Sequence, residues 1–134
     1  MKKDIFIDGE TGTTGLQVHE KLSKHPNVNI MSVDQSKRKD ISYKKEMLAK
    51  SDVTFLCLPD EISIETVQIA DELEDKSPII IDASTAHRTN PKWSYGLPEL
   101  GENYRKSIEN SKRIASPGCY STGANVILKP LISN

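Results

Sequence analysis

The sequence predicts an α/β fold in which a doubly wound parallel sheet is covered by helices on both faces. Short apolar runs at residues 5–7, 53–58 and 79–81 are typical of strands that are buried on both sides. Segments with apolar residues at helical spacing alternate with these runs. Because parallel strands are joined by right-handed crossovers, this alternation implies one open sheet with helices packed on it.

Five strands are expected. The first contains the continuous run Ile5, Phe6 and Ile7, and the fourth contains three consecutive isoleucines. The third is almost uninterrupted by polar residues and is therefore expected at the centre of the sheet. The predicted strands are residues 3–8, 28–33, 52–58, 79–81 and 113–115.

Five helices are expected between and after these strands. In the first, Val18 and Leu22 share one face. The third opens with Asp60 and Glu61, which suit the positive end of a helix, and Pro130 weakens the last one. The predicted helices are residues 14–24, 44–50, 59–73, 102–111 and 120–132. Residues 83–101 lack clear periodicity, and a loop of that length is usually functional.

Composition limits the classes of protein to which the chain can belong. The 134 residues carry 18 Lys plus Arg and 19 Asp plus Glu, a net charge of -1, so no nucleic-acid partner is expected. Aromatic residues make up only 5%, too few for base-stacking surfaces. No run of eighteen apolar residues occurs, so no membrane span is expected and the predicted location is cytoplasmic. The two cysteines form neither a disulfide framework nor a zinc motif, and no metal site is predicted.

A glycine-rich turn follows the first strand directly. Its three glycines have the spacing G-x-x-G-x-x-G and lead into the first helix, which is the setting of a Rossmann-like NAD(P)-binding domain. Glycines there allow a sharp turn and a close approach to a pyrophosphate, which free N–H groups at the helix N-terminus favour. The alternative is a turn that only packs tightly. The predicted cofactor contacts in this turn are Gly9, Thr11, Gly12, Thr13, Thr14 and Gly15.

The segment after the second strand indicates which dinucleotide is bound. An acidic residue there favours the free 2′-hydroxyl of NAD, whereas a cation favours the 2′-phosphate of NADP. Asp34 comes first, but Ser36 and Arg38 follow within a basic run, so NADP is the predicted cofactor. The alternative is a solvated charged loop. Ser84, just beyond the fourth strand, is a further predicted cofactor contact, although its hydroxyl would equally suit a local turn.

The two cysteines differ in their surroundings. Cys119 follows the turn residues Ser116, Pro117 and Gly118 and precedes a helix, so its sulfur is expected near a helix N-terminus, where a thiolate is favoured. Cys57 lies in an apolar strand, where a buried and inert thiol is expected. The sequence therefore predicts Cys119 as a nucleophile.

Four longer motifs follow one another along the chain. They are IDGETGTTGL at residues 7–16, DASTAHR at 82–88, YGLPEL at 95–100 and SPGCY at 116–120. In this order they resemble the N-acetyl-gamma-glutamyl-phosphate reductase family, in its shorter-chain type. The resemblance covers essentially the whole chain, and the related aspartate-semialdehyde dehydrogenases share the architecture.

The resemblance implies an NADP-dependent oxidoreductase of arginine biosynthesis. Cys119 would attack N-acetylglutamyl 5-phosphate, expel phosphate and form a thioester, which hydride from NADPH reduces to N-acetylglutamate 5-semialdehyde. Arg88, in the second motif, is a candidate contact to this small anionic substrate. The alternatives are a structural ion pair and an exposed cation.

The family resemblance also limits what this chain is expected to do alone. Family members continue into a second, catalytic and dimerisation domain, so residues 1–134 are predicted to form only the NADP-binding part, from a truncated or split enzyme whose full-length form is a homo-oligomer. Two alternatives stay open at this point: a nucleotide-binding or regulatory module without catalysis, and an aspartate-semialdehyde dehydrogenase.

Overall fold

The computed structural model describes residues 1–132, and within them six strands form a single sheet in which all neighbours run parallel. The strands are β1 (Lys3–Asp8), β2 (Val28–Ile30), β3 (Val53–Leu56), β4 (Ile79–Asp82), β5 (Ser94–Tyr95) and β6 (Arg113–Ala115). Their spatial order is β2-β1-β3-β4-β6-β5. The chain leaves β1 towards β2 and returns to β3 on the other side, so the strand order reverses between β1 and β3. Open α/β sheets bind ligands at such a reversal.

Five helices connect or follow the strands: α1 (Thr13–Ser23), α2 (Ile41–Lys50), α3 (Asp60–Asp71), α4 (Glu102–Glu109) and α5 (Cys119–Ile132). α2 and α3 contact each other on one face of the sheet, whereas right-handed crossovers place α1 on the other. The predicted doubly wound α/β fold is therefore confirmed. None of the helices within residues 1–132 is both long and apolar enough to cross a bilayer.

The core lies between the three central strands and the pair α2 and α3. Leu56, Ile80 and Leu48 have no exposed surface. Burial of these apolar side chains away from water is the main driving force for folding. The cluster consists of Phe6, Met47, Leu48, Leu56, Val67, Ala70 and Ile80.

Several element ends differ from those predicted by one to three residues, and β5 was not predicted. α2 begins at Ile41 because the Asp40 carboxylate accepts hydrogen bonds from the N–H groups of Ser42 (2.8 Å) and Tyr43 (3.2 Å). β5 lies in the segment that was expected to be a loop, and two residues are too few to show a strand period. α5 begins at Cys119 and continues through Pro130 to Ile132.

α5 packs differently from the other helices. It contacts the short turn Pro98–Leu100, and several of its apolar side chains face solvent. Leu131 and Ile132 are 70% and 77% exposed, and Tyr120 is 93% exposed. The exposed apolar residues of this helix are Tyr120, Val126, Ile127, Leu128, Leu131 and Ile132. An apolar surface of this kind typically marks a contact with other polypeptide.

Candidate cofactor and cysteine site

Two positions of the turn after β1 admit only glycine, because other backbone atoms lie too close for a side chain. Gly9 has a φ of +88°, and a Cβ there would lie 2.3 Å from the carbonyl oxygen of Cys57. Gly15 is buried at the start of α1, where a Cβ would lie 2.2 Å from the carbonyl oxygen of Gly9. These glycines are therefore required by the fold itself, whether or not a ligand is bound.

Gly12 differs, because the protein leaves space around it. The atom nearest to a Cβ at this position is the carbonyl oxygen of Gly9 at 3.5 Å, an ordinary contact. Gly12 is also the N-cap of α1, and no side chain in the described part of the chain caps that helix end. The first N–H groups of a helix lack intrahelical acceptors, so this end is suited to an anion. Thr11, Thr13 and Thr14 are exposed beside it.

A cavity of about 730 Å³ adjoins the glycine turn and is bounded by α2 and α3. Gly9 and Thr11 line one side of it, and Arg38 and Lys39 line another. This volume lies in the range of small-molecule and cofactor sites. The predicted basic run therefore contributes two of its cations to the same cavity as the glycine turn.

Asp34 holds the turn that contains the basic run after β2. The Asp34 carboxylate accepts hydrogen bonds from the Ser36 hydroxyl (2.7 Å) and N–H (3.0 Å), which lower the pKa of Asp34. Lys37 pairs with the same carboxylate at 3.9 Å and lies 5.9 Å from the centre of the Tyr43 ring. Ser36 and Lys37 therefore stabilise the turn, while Arg38 is exposed beside the cavity.

Lys44 is a cavity residue that the sequence did not reveal. Its ammonium lies 2.9 Å from Oδ2 of Asp8 and donates to the Thr66 hydroxyl at 3.1 Å. The two charged side chains are only 13% and 11% exposed. A buried carboxylate beside the glycine turn would repel any anion that approached it, and the pairing of Asp8 with Lys44 keeps that repulsion small. The helical spacing of α2 gave no sign that Lys44 faces inward.

At the end of β4, Asp82 organises the second predicted motif. Its carboxylate is fully buried and accepts hydrogen bonds from the Ser84 hydroxyl (2.7 Å), the Ser84 N–H (3.0 Å) and the Ser63 hydroxyl (3.1 Å). His87 completes the set through Nδ1, 2.6 Å from Oδ2 of Asp82. In this structure the Ser84 hydroxyl shapes the turn, and its role toward the cofactor stays a prediction.

Cys119 is exposed and is the first residue of α5. Gly118 precedes it, and its carbonyl oxygen accepts hydrogen bonds from the N–H of Thr122 (2.9 Å) and the hydroxyl of Ser121 (3.0 Å). The thiol thus lies at a helix N-terminus, as predicted, where the field of the helix favours an anion.

Cys57 is half-buried just beyond β3. Burial, together with the carboxylates of Asp8 and Asp82, raises the pKa of Cys57 to about 11. A thiol with this pKa is almost entirely protonated at neutral pH. Of the two thiols, Cys119 is therefore the one suited to nucleophilic attack.

Arg88 and Tyr95 hold the cysteine turn from two directions. The Arg88 guanidinium donates from Nε to the carbonyl oxygen of Ser116 (2.9 Å) and from Nη2 to that of Ala83 (3.1 Å). The Tyr95 hydroxyl donates to the Ser121 hydroxyl at 3.2 Å. The contacts of Arg88 are to backbone carbonyls rather than to an acidic partner. Nothing in the sequence pattern indicated the contact of Tyr95 with Ser121.

The glycine turn and the cysteine turn lie at the same edge of the sheet. Both follow the carboxyl ends of parallel strands, β1 and β6, with β3 and β4 between them. Three strand spacings of about 4.8 Å separate these strands by about 14 Å. A ligand that extends along this edge reaches from one turn to the other.

A family profile described as the NAD-binding domain of semialdehyde dehydrogenase matches residues 4–110 of the chain. The chain belongs to this family. The match covers the glycine turn, the cavity and the Asp82 motif, while Cys119 lies beyond it. This semialdehyde dehydrogenase domain thus has the fold that its sequence predicted.

Curated relatives of this semialdehyde dehydrogenase domain are reductases. N-acetyl-gamma-glutamyl-phosphate reductase 2 of Nostoc sp. is 42% identical over 98% of this chain and 40% of its own length. The N-acetyl-gamma-glutamyl-phosphate reductase of Brucella ovis is 41% identical over 98% of this chain and 42% of its own length. The predicted resemblance is therefore confirmed. The chain spans about 40% of the length of these relatives.

Solved structures of similar fold are aspartate semialdehyde dehydrogenases. The Candida albicans enzyme with NADP superposes with a TM-score of 0.73 at 15% identity, over 99% of this chain and 47% of that one. Enzyme II of Vibrio cholerae gives 0.72 at 17% identity, over 99% and 43%. At this identity the likeness shows the fold alone. Within residues 1–132 of the semialdehyde dehydrogenase domain, no group of three or more His, Cys, Asp or Glu residues is placed to hold a metal ion.

Proposed function

We propose that this chain is the NADP-binding and cysteine-bearing part of an N-acetyl-gamma-glutamyl-phosphate reductase, which converts N-acetylglutamyl 5-phosphate to N-acetylglutamate 5-semialdehyde in arginine biosynthesis. One observation carries the proposal: Cys119 presents an exposed thiol at the start of α5, on the sheet edge that also carries the glycine turn. Identities of 41–43% to curated reductases, against 15–18% to aspartate semialdehyde dehydrogenases, favour the acetylated five-carbon substrate.

The residues between β1 and β3 fit a dinucleotide. The open space at Gly12 and the uncapped start of α1 suit a pyrophosphate, with Thr11, Thr13 and Thr14 as additional donors. Arg38, which lines the cavity, would meet the 2′-phosphate of NADP there. The Ser36 hydroxyl, which donates to Asp34 in this structure, is proposed as a second contact to that phosphate. Ser84 is proposed as a further contact. Bound NADPH supplies the hydride that this chemistry requires.

Cys119 would form the covalent intermediate. Its thiolate attacks the carbonyl carbon of the acyl phosphate, a C–S bond forms, the C–O bond to phosphate breaks, and inorganic phosphate leaves. After hydride has reached the same carbon, the thiohemiacetal collapses: the C–S bond breaks, Cys119 leaves as thiolate, and the hydroxyl proton passes to a base. Position at a helix N-terminus favours the thiolate at both stages.

Arg88 is proposed as a contact to the anionic substrate. Its Nε and Nη2 each donate to a backbone carbonyl, and a guanidinium has five N–H donors. The remaining donors would face the acyl phosphate beside Cys119. A planar fork of this kind suits phosphate oxygens better than a lysine ammonium does.

We further propose that the working enzyme includes more polypeptide than residues 1–134. The relatives are more than twice as long, and the exposed apolar residues of α5 support a contact with the region that corresponds to their remaining length. That region would supply a general acid or base, substrate contacts and the homo-oligomer interface. We also propose a cytoplasmic enzyme that acts on a small molecule. The near-neutral net charge gives no electrostatic reason to expect binding to nucleic acid or to a membrane.

The test is an assay of the reverse reaction, phosphate-dependent NADP reduction with N-acetylglutamate 5-semialdehyde. The chain is assayed alone and then with a separately produced C-terminal part of one of the reductases. A positioned acid or base contributes about 10²- to 10⁴-fold in rate, so the chain alone is expected to be nearly inactive. Activity restored by the added part and abolished by Cys119→Ala supports the proposal.

The opposite results contradict it in distinct ways. Full activity of the chain alone would show that no further polypeptide is needed. Cofactor binding with no activity in the combined sample, and no acylation of Cys119, would favour a nucleotide-binding module. Preference for aspartate semialdehyde over the acetylated substrate would assign the chain to that dehydrogenase instead.

A further inference from the structure

Arg88 connects the loop after β4 with the turn that carries Cys119. Its Nε donates to the carbonyl oxygen of Ser116 (2.9 Å), three residues before the cysteine, and its Nη2 donates to that of Ala83 (3.1 Å). The planar guanidinium thus fixes the distance between two loops whose strands, β4 and β6, are already paired.

The guanidinium also lies directly against the backbone next to the cysteine. A Cβ built on Gly118 would be 2.8 Å from Nη1 of Arg88, so the glycine gives the side chain its space. Gly118 immediately precedes Cys119 and provides the carbonyl that accepts the Thr122 N–H at the start of α5. A shift of the Arg88 guanidinium would therefore displace Gly118 and, with it, the first turn of α5.

Arg88 is held in place by its neighbour in the chain. His87 is buried, hydrogen-bonds the fully buried Asp82 at 2.6 Å, and stacks on Trp93 with ring centres 4.0 Å apart. The backbone from which Arg88 extends is therefore anchored in the protein interior. Binding of the guanidinium to its two carbonyls therefore restricts only the Arg88 side chain and not the backbone that carries it.

We propose that Arg88 is a positioning residue for Cys119: with or without substrate, its two backbone hydrogen bonds hold the thiol at the N-terminus of α5. The proposal rests on the proposed function of Cys119 as nucleophile, and it adds to any contact of Arg88 with substrate. A contact to substrate alone predicts no effect of Arg88 on the free enzyme. Positioning predicts an effect before substrate is added.

The experiment measures the rate at which the neutral reagent iodoacetamide alkylates Cys119 in the full 134-residue chain at pH 7, with peptide mass spectrometry to resolve the two thiols. Arg88→Lys keeps the positive charge but loses the planar fork, and Arg88→Ala loses both. Both variants are expected to lower the rate about two- to fivefold, the range of a helix-terminus interaction. Gly118→Ala, which keeps Arg88 but displaces its Nη1, is expected to lower the rate as well.

Arg113→Lys is the matched control. Arg113 also donates to backbone carbonyls, those of Pro78 (3.0 Å) and Lys112 (2.9 Å), but it begins β6 at the opposite edge of the sheet. Its variant is expected to alkylate at the wild-type rate. Circular dichroism checks that each variant is folded. If Arg88→Lys is not folded, Gly118→Ala provides the test instead.

A wild-type rate in Arg88→Lys and Gly118→Ala would overturn the proposal, since charge without the fork would then suffice. An equal loss in Arg113→Lys would overturn it too, because the effect would be one of general stability. Failure of the proposed function is recognised separately: wild-type Cys119, in the sample that combines the chain with the C-terminal part of a reductase, then shows no acylation by N-acetylglutamyl 5-phosphate, whatever the alkylation rates of the Arg88 variants.

Discussion

Nδ1 of His87 lies 2.6 Å from Oδ2 of Asp82, deep beneath the loop that follows β4. The His87 ring stacks on Trp93 at an angle of 11° between the planes. The hydrogen bond restricts movement of the imidazole within its plane, and the stacking contact restricts movement out of it. The Asp82 carboxylate also accepts hydrogen bonds from the hydroxyl groups of Ser63, in α3, and Ser84. One carboxylate therefore fixes a strand end, a helix and the loop that contains Arg88.

Asp82→Ala is expected to lower the free energy of unfolding by at least about 3 kcal/mol. Removing a fully buried carboxylate leaves the donors of Ser63, Ser84 and His87 unpaired inside the protein. Urea unfolding measures the change. The matched control is Asp71→Ala, because Asp71 is 61% exposed in its pair with Arg113 and should cost less than about 1 kcal/mol. Equal losses in the two variants would contradict this account.

Substitutions at Gly15 and Gly12 are expected to have different consequences. Gly15→Ala places a methyl group 2.2 Å from a backbone oxygen and should lower the free energy of unfolding by about 1–3 kcal/mol or more. Gly12→Ala meets only an ordinary contact of 3.5 Å and should leave the fold intact while weakening NADP binding, because the methyl group occupies the approach of the pyrophosphate. Urea unfolding and titration calorimetry separate the two effects. Unchanged NADP affinity in Gly12→Ala would contradict a pyrophosphate at this turn.

Arg38→Ala is expected to weaken NADP binding at least about tenfold and leave NAD binding unchanged. Arg38 lines the cavity, and a charge-assisted hydrogen bond to phosphate is worth about 1.5–3 kcal/mol. Lys37→Ala is the control, since Lys37 pairs with Asp34 instead. Calorimetry with both dinucleotides provides the measurement. If the wild-type chain binds NAD and NADP equally, the basic run is only a solvated surface.

Cys119 is expected to be alkylated well before Cys57 at neutral pH. The pKa of Cys57 is raised to about 11, so its thiolate fraction at pH 7 is on the order of one in 10⁴. Labelling of Cys57 in the folded chain should therefore rise about tenfold per pH unit and level off only near pH 11. Mass spectrometry after brief exposure to iodoacetamide at several pH values follows both thiols. Preferential labelling of Cys57 at pH 7 would contradict the assignment of the nucleophile.

Much of this architecture is readable from the sequence, because it depends on local rules. The apolar runs around Phe6, Leu56 and Ile80 specify buried parallel strands, and the spacing of the glycines specifies a turn between a strand and a helix. The turn before Cys119 predicted that its thiol lies at the start of a helix, and the structure confirms that position. Its role as the nucleophile stays a prediction.

What the sequence left open depends on contacts between distant residues. Nothing in the pattern of α2 shows that Lys44 turns inward to pair with Asp8, 36 positions earlier in the chain. Arg88 was expected to meet substrate or an acidic partner, whereas its contacts in the structure are backbone carbonyls, which have no sequence signature. The same holds for Tyr95, whose partner Ser121 lies in another element.

The short outer strands have a consequence for how the molecule behaves among its own copies. β2 has three residues and β5 has two, and they form the two borders of the sheet. A border of that length offers few unpaired N–H and C=O groups, so a neighbouring chain gains little by adding a strand there. The longer apolar strands, which would be the hazardous ones, are enclosed on both sides. Self-association through the sheet edge is thereby discouraged, and growth into fibrils is disfavoured by the order of the strands alone.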